Sequence, residues 1–148
     1  MPYEIPPRKQ PAGDDGYLEA LTKAIFQAGF SWQVIRDKWP GFQQAFEGFD
    51  VATVAAYGEP DVERLIKDTN IVRNRRKIEA TVHNAREMWD LIQKYGTFHA
   101  YLRSLDELDY AARRKELTRR FKNLGPTGVF TFLWSVGESV PDWEDRNK

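Results

Sequence analysis

The stretch "EPDVERLIKDTNIVRNRRKIEATVHNAREMWDLIQKYG" (59–96) decides the architecture. Proline's fixed φ and an early acid both suit a helix start, so Pro60 and Asp61 predict a first helix over 60–69. Asn70 and Asn74 are turn-tolerant and able to cap, and Asn74 as N-cap opens a longer second helix over 75–95. Along it Ile78, Val82, Ala85, Trp89 and Ile92 recur at helical period as a buried stripe, and Gly96 ends it. The turn between the two helices carries the densest basic cluster of the chain: Arg73, Arg75, Arg76 and Lys77. Each cation in a helix's first turn is disfavoured by about 0.3–1 kcal/mol through the dipole. An anion docked on the N–H groups there reverses that sign. A phosphate is the natural anion, and a short basic turn between helices can grip a nucleic-acid backbone without reading bases. The competing reading is an ordinary exposed turn with its side chains in water.

Outward from this pair, the rest of the chain also reads as helical. "DDGYLEALTKAIFQAG" (14–29) begins with capping aspartates, places Leu18, Leu21, Ile25 and Ala28 on one face, and stops at Gly29. Ser31 can cap "WQVIRDKW", which is expected to end near Pro40. "FQQAFEGF" follows with Phe42, Phe46 and Phe49, and Asp50 then caps "VATVAAY", closed by Gly58. Two helical segments are expected over 97–105 and 107–123. After "LGPTG", the run "VFTFLWSVG" is short enough to be strand or helix, and the lack of any partner strand favours helix. The prediction is an all-α, compact multi-helix single domain over 14–148, preceded by an extended, proline-rich arm over 1–13.

Composition sets limits without naming a partner. A chain of 148 residues suits one domain, and 41% hydrophobic content suits a folded one. The 22 basic and 22 acidic residues cancel, but basic residues gather at 73–86 and 113–122. Cysteine is absent, which excludes disulfides and thiolate metal sites and suits a reducing compartment. No apolar run nears the roughly 20 residues that span a bilayer, and no signal-peptide pattern opens the chain. A cytoplasmic location is expected, nucleoid-associated if the source is bacterial.

Three stretches together resemble one family. "QAGFSW" (27–32) is similar to the Gln-Ala-Gly-Leu-Ser-Trp motif of the bacterial 3-methyladenine DNA glycosylase I proteins, of the helix-hairpin-helix glycosylase superfamily. "FDVATVAAYGEPDVERLIKDTNIVRNRRKIEATVHNAR" (49–86) follows that family's hairpin region, and "FKNLGPTGVFTFLWSVG" (121–137) its late Phe-x-Gly-Pro-Thr segment. The resemblance implies a helix-hairpin-helix DNA-binding element and removal of alkylated purines from double-stranded DNA by base flipping. It places Trp32 and Gln27 in the base pocket and Arg73, Asn74, Arg75, Arg76 and Lys77 on the DNA backbone; for this chain no cofactor and no metal are expected, and a monomer is.

The departures from the family are as specific. Ala24 stands where the family has a base-contacting glutamate, and the family's Tyr-His-Asp-x-Glu-Trp-Gly segment is missing from the N-terminus. The family's structural zinc cannot form without cysteines, and His83 and His99 match neither of its histidine ligands. Asp14, Asp15 and Glu19 are other carboxylates at the first helix; Glu138 is a speculative substitute that reads more simply as a solvated helix-end residue. No catalytic acid is assigned. The residues leave three functions open: a glycosylase for damaged purines, a non-catalytic hairpin DNA-binding protein that has lost the pocket, and a helical interaction protein with basic turns.

Overall fold

A computed structural model describes residues 7–148. Among them are eight helices and no strand: α1 (Asp14–Gln27), α2 (Trp32–Ala45), α3 (Val51–Ala55), α4 (Glu59–Leu65), α5 (Arg75–Tyr95), α6 (Phe98–Arg103), α7 (Tyr110–Arg120) and α8 (Pro126–Ser135). Short 3-10 turns cover Glu47–Phe49 and Trp143–Asp145. The first six residues of the expected arm lie outside the described residues. Residues 7–13 run without helix along α8: Arg8 donates to the carbonyls of Trp134 (2.7 Å) and Glu138 (2.9 Å), and the Lys9 N–H to that of Ser135 (2.7 Å).

Two adjacent acids at the start of α1 tie three helices together. Asp14 accepts from the N–H of Phe98 (2.8 Å) at the start of α6, and Asp15 from that of Val51 (3.3 Å) at the start of α3. Helix starts expose N–H groups and partial positive charge, so each carboxylate satisfies an orphan donor from a neighbouring helix. Behind them α5 packs against α1, α3, α4 and α6. Leu18, Leu21, Ile25, Ile78, Ala85, Phe98 and Phe132 form the centre of the core, all essentially inaccessible. An aromatic layer starts on α2 and continues past its end. Trp39 stacks on Phe42 (4.8 Å) and Phe49 (5.3 Å), Phe49 on Phe46 (5.4 Å), and Phe46 on Tyr57 (6.3 Å).

Four expectations are corrected. Helix α2 does not end near Pro40 but runs through it to Ala45. An interior proline costs about 3 kcal/mol. Trp32, Ile35, Trp39 and Phe42 form one buried stripe across it, each worth about 1.5–3 kcal/mol. The stripe wins, and the proline sits on the exposed face. On α5, Trp89 is 39% exposed and Met88 is fully buried in its stead, because the stripe centres on Thr81, Ala85, Met88 and Ile92. Ala28 lies just past the end of α1 and is exposed. Helix α4 stops at Leu65, leaving a longer hairpin than expected.

Candidate functional site

The hairpin between α4 and α5 is seated on α2 through a glycine. A Cβ on Gly41 would fall 2.2 Å from the Asn70 carbonyl oxygen, so only glycine lets the two backbones approach this closely. Asp68 accepts the Asn70 N–H (2.8 Å) inside the turn. Asn74 caps α5 by accepting the Lys77 N–H (3.1 Å). Helix geometry leaves the N–H groups of Arg75 and Arg76 without an intrahelical acceptor.

The cations of this first turn divide by task. Arg75 reaches back to α4 and pairs with Glu63 (2.7 Å) and Glu59 (3.4 Å); its hydrogen bond holds the Glu63 carboxyl below the usual range. Lys77 turns inward. Its ammonium donates to the carbonyls of Phe26 (3.3 Å) and Ala28, and burial pushes its pKa below that of an ordinary lysine. Those carbonyls carry the partial negative charge of α1's C-terminal end. Arg73 and Arg76 stay exposed.

Arg76 shares a depression of about 450 Å³ with Glu79, Ala80, Lys122 and Asn123. Buried Asn84 fixes its far wall: the amide donates to the Lys122 carbonyl (3.1 Å) and accepts the Lys122 N–H (2.8 Å). One end of the second basic run thus meets the hairpin helix. Other members of that run are occupied: Arg120 pairs with Glu87 (2.6 Å) and Glu116 (3.0 Å), Arg119 with Glu116 (2.7 Å), and Arg114 holds the carbonyls of Arg146 and Lys148. His83, on the same helix as Arg76, has its pKa lowered by burial and by the nearby Lys122 charge.

A cavity of about 300 Å³ opens beside the turn that Lys77 holds. Ala24, Gln27, Ala28, Gly29 and Phe30 line it from α1 and the following turn, Thr127, Gly128 and Thr131 from α8, and Trp143 from the C-terminal turn. Gly29, at φ +86°, swings the chain so that Phe30 stands 42% exposed at the mouth. None of these lining residues is ionisable.

Of the positions that the resemblance singles out, Gln27 and Ala24 line this cavity. Trp32 does not line the cavity: it is 7% exposed in the core, with the Lys23 ammonium 5.6 Å from its ring. The other carboxylates are engaged elsewhere. Asp14 and Asp15 cap α6 and α3 and not, as expected, their own helix, whose N-cap is Gly13, and Glu19 accepts from the Trp39 indole (3.0 Å) and pairs with Lys23 (3.4 Å). Glu138 is not solvated; it is buried and paired with Arg103. Phe30, Thr127, Thr131 and Trp143 are the lining residues that motif reading missed. An aromatic at the tip of "QAGFSW" was a usable signal for Phe30, whereas nothing local marks Trp143.

The chain is similar to known proteins in both sequence and fold. Residues 9–118 match the sequence pattern of the methyladenine glycosylase family. DNA-3-methyladenine glycosylase 1 of Escherichia coli (strain K12) is 33% identical over 149 residues, covering 82% of this chain and 80% of that protein. The 3-methyladenine DNA glycosylase I of Staphylococcus aureus superposes with a TM-score of 0.77 at 28% identity, over 87% of this chain and 79% of that one. A variant 3-methyladenine DNA glycosylase I in complex with 3-methyladenine gives 0.78 at 27%, over 90% and 82%.

Proposed function

The chain belongs to the methyladenine glycosylase family, and from that premise we propose that it is a monofunctional DNA glycosylase that everts alkylated or otherwise damaged purines from duplex DNA and hydrolyses their bond to the sugar. The observation that carries this reading is the Lys77 bridge. One side chain joins the first turn of the hairpin helix to the wall of the cavity. A duplex held at Arg73, Arg76 and the N–H groups of α5's first turn is thereby placed beside a cavity for a flat base. Gln27 and the two threonines bring polar groups toward a base edge, and Trp143 brings a ring face.

The chemistry asks little of the protein. An N-alkylated purine in DNA is cationic and leaves readily, so water can complete the displacement once the base is everted. The protein acts as a monomer on double-stranded DNA in the cytoplasm, without cofactor. The test is incubation with methylated duplex DNA, followed by chromatography of released base and alkaline cleavage at abasic sites. Release of no base from a panel of alkylated, deaminated and oxidised duplexes sinks the enzyme reading. Among the described residues the cavity has no ionisable lining group, and with Ala24 at the glutamate position this favours the second reading, a non-catalytic hairpin DNA-binding protein. Salt-sensitive duplex binding without base release selects it.

A further inference from the structure

Trp143 lies at the C-terminal end of the chain, beyond residues 9–118, yet it forms a wall of the cavity. The 3-10 turn that carries it has no buried residue, so this tryptophan is not a core anchor. Its orientation is nevertheless closely held. The Arg146 guanidinium lies 3.8 Å from the ring centroid, and the Phe130 ring meets it edge-on at 5.3 Å and 84°. Arg146 also donates to the Thr127 hydroxyl (3.1 Å) and the Trp143 carbonyl (2.9 Å), which ties the turn to the first residues of α8. Arg114, from α7, holds the carbonyls of Arg146 and Lys148. Two helices thus fix one half-buried aromatic at the edge of a cavity whose other lining is mostly small: Ala24, Ala28, Gly29, Thr127, Gly128 and Thr131.

We propose that Trp143 is a base-binding residue of the cavity, the flat face on which an everted purine stacks. The proposal rests on the reading that this cavity receives a base. Stacking on an aromatic ring is tolerant of base identity, so Trp143 contributes affinity for a purine face, and the hydrogen-bonding edge chemistry falls to Gln27 and the threonines. Arg146 is a positioning residue that acts through the ring.

The test compares Trp143→Ala and Trp143→Phe with the wild type, each first shown folded by its urea midpoint. Trp143→Ala is expected to lower kcat/KM for base release from methylated duplex by about 5- to 150-fold, the range of one base–aromatic stack. Trp143→Phe, which keeps a ring, should recover most of it. In parallel, free 3-methyladenine is titrated into the labelled protein and the five indole N–H resonances are followed, that of Trp143 being assigned by its loss in Trp143→Phe. A shift largest at Trp143 supports the proposal. Wild-type release with an unchanged Trp143→Ala rate overturns it and leaves the glycosylase reading standing. Absence of release by the wild type removes the glycosylase reading instead, and the titration then decides: an unshifted Trp143 resonance overturns the proposal.

Discussion

Lys77 and Ala28, 49 residues apart in sequence, are joined by a hydrogen bond from the ammonium of one to the carbonyl of the other. The lysine is therefore a strut between the hairpin helix and the cavity wall. Replacing it with methionine keeps the stem and removes the donor, leaving the Phe26 and Ala28 carbonyls without it. The expected loss is about 1–3 kcal/mol of stability, read as a lowered urea midpoint. Salt dependence of binding to undamaged duplex should stay near wild type, since this cation is directed inward. A slope reduced as much as in Arg76→Gln would overturn that assignment.

Arg76 and Lys122 are expected to meet the phosphates. Arg76→Gln and Lys122→Gln should each reduce the slope of log K against log salt by about 1, alike on all sequences. Fluorescence anisotropy across a salt series measures it. An unchanged slope in both variants would remove the depression from the DNA interface.

His83 reports on the same surface. In the free protein, burial, Lys122 and Arg86 lower its pKa from the ordinary 6.5, while Glu87 works the other way. A nearby phosphate favours the imidazolium, so DNA binding should raise that pKa, and binding should strengthen as pH falls through the window just below 6.5. The stability sign is separate: with the folded pKa depressed, His83 disfavours the fold at low pH, and stability rises as pH climbs toward 6.5. Titration of the His83 ring by NMR, with and without duplex, checks the first claim. A pKa unmoved by DNA would contradict it.

Gly41 tests the seat of the hairpin. Gly41→Ala drives a methyl group into the Asn70 backbone, which cannot swing aside as a side chain can. A destabilisation of about 1–3 kcal/mol is expected from overpacking, together with weaker duplex binding. Wild-type values for both in calorimetry and anisotropy would show that the contact yields freely.

How much of this was legible in the residues depends on whether the signal was local. Asn74, Ser31 and Asp50 act as the caps their residue types announce. Pro40 misled because a local breaker met a stripe of four buried side chains, whose energy appears only in the tertiary structure. The basic turn was legible as charge but not as division of labour: Arg75 and Lys77 are committed to partners on α4 and α1, which spacing along the chain does not reveal. Trp32 sits in the motif that points to the pocket, yet it packs into the core, while Trp143 reaches the cavity through tertiary contacts with Phe130 and with Arg146, which is itself tied to α8.

Phe30 gives the last test, because it is large, apolar and 42% exposed at the cavity mouth, a placement that folding does not require. Val34, in the first turn of α2, is a second exposed apolar side chain in this stretch, 40% exposed. Eversion of a base leaves a gap in the stack and costs a few kcal/mol, and apolar side chains at DNA interfaces commonly insert between bases. Phe30→Ala should therefore slow base release from duplex by about tenfold or more, equivalent to about 1.4 kcal/mol. Single-stranded substrate, already unstacked, should feel the change much less. Stability should remain within about 0.5 kcal/mol, as for other surface substitutions. Equal losses on single- and double-stranded substrates would instead place Phe30 in contact with the base, as part of the cavity wall.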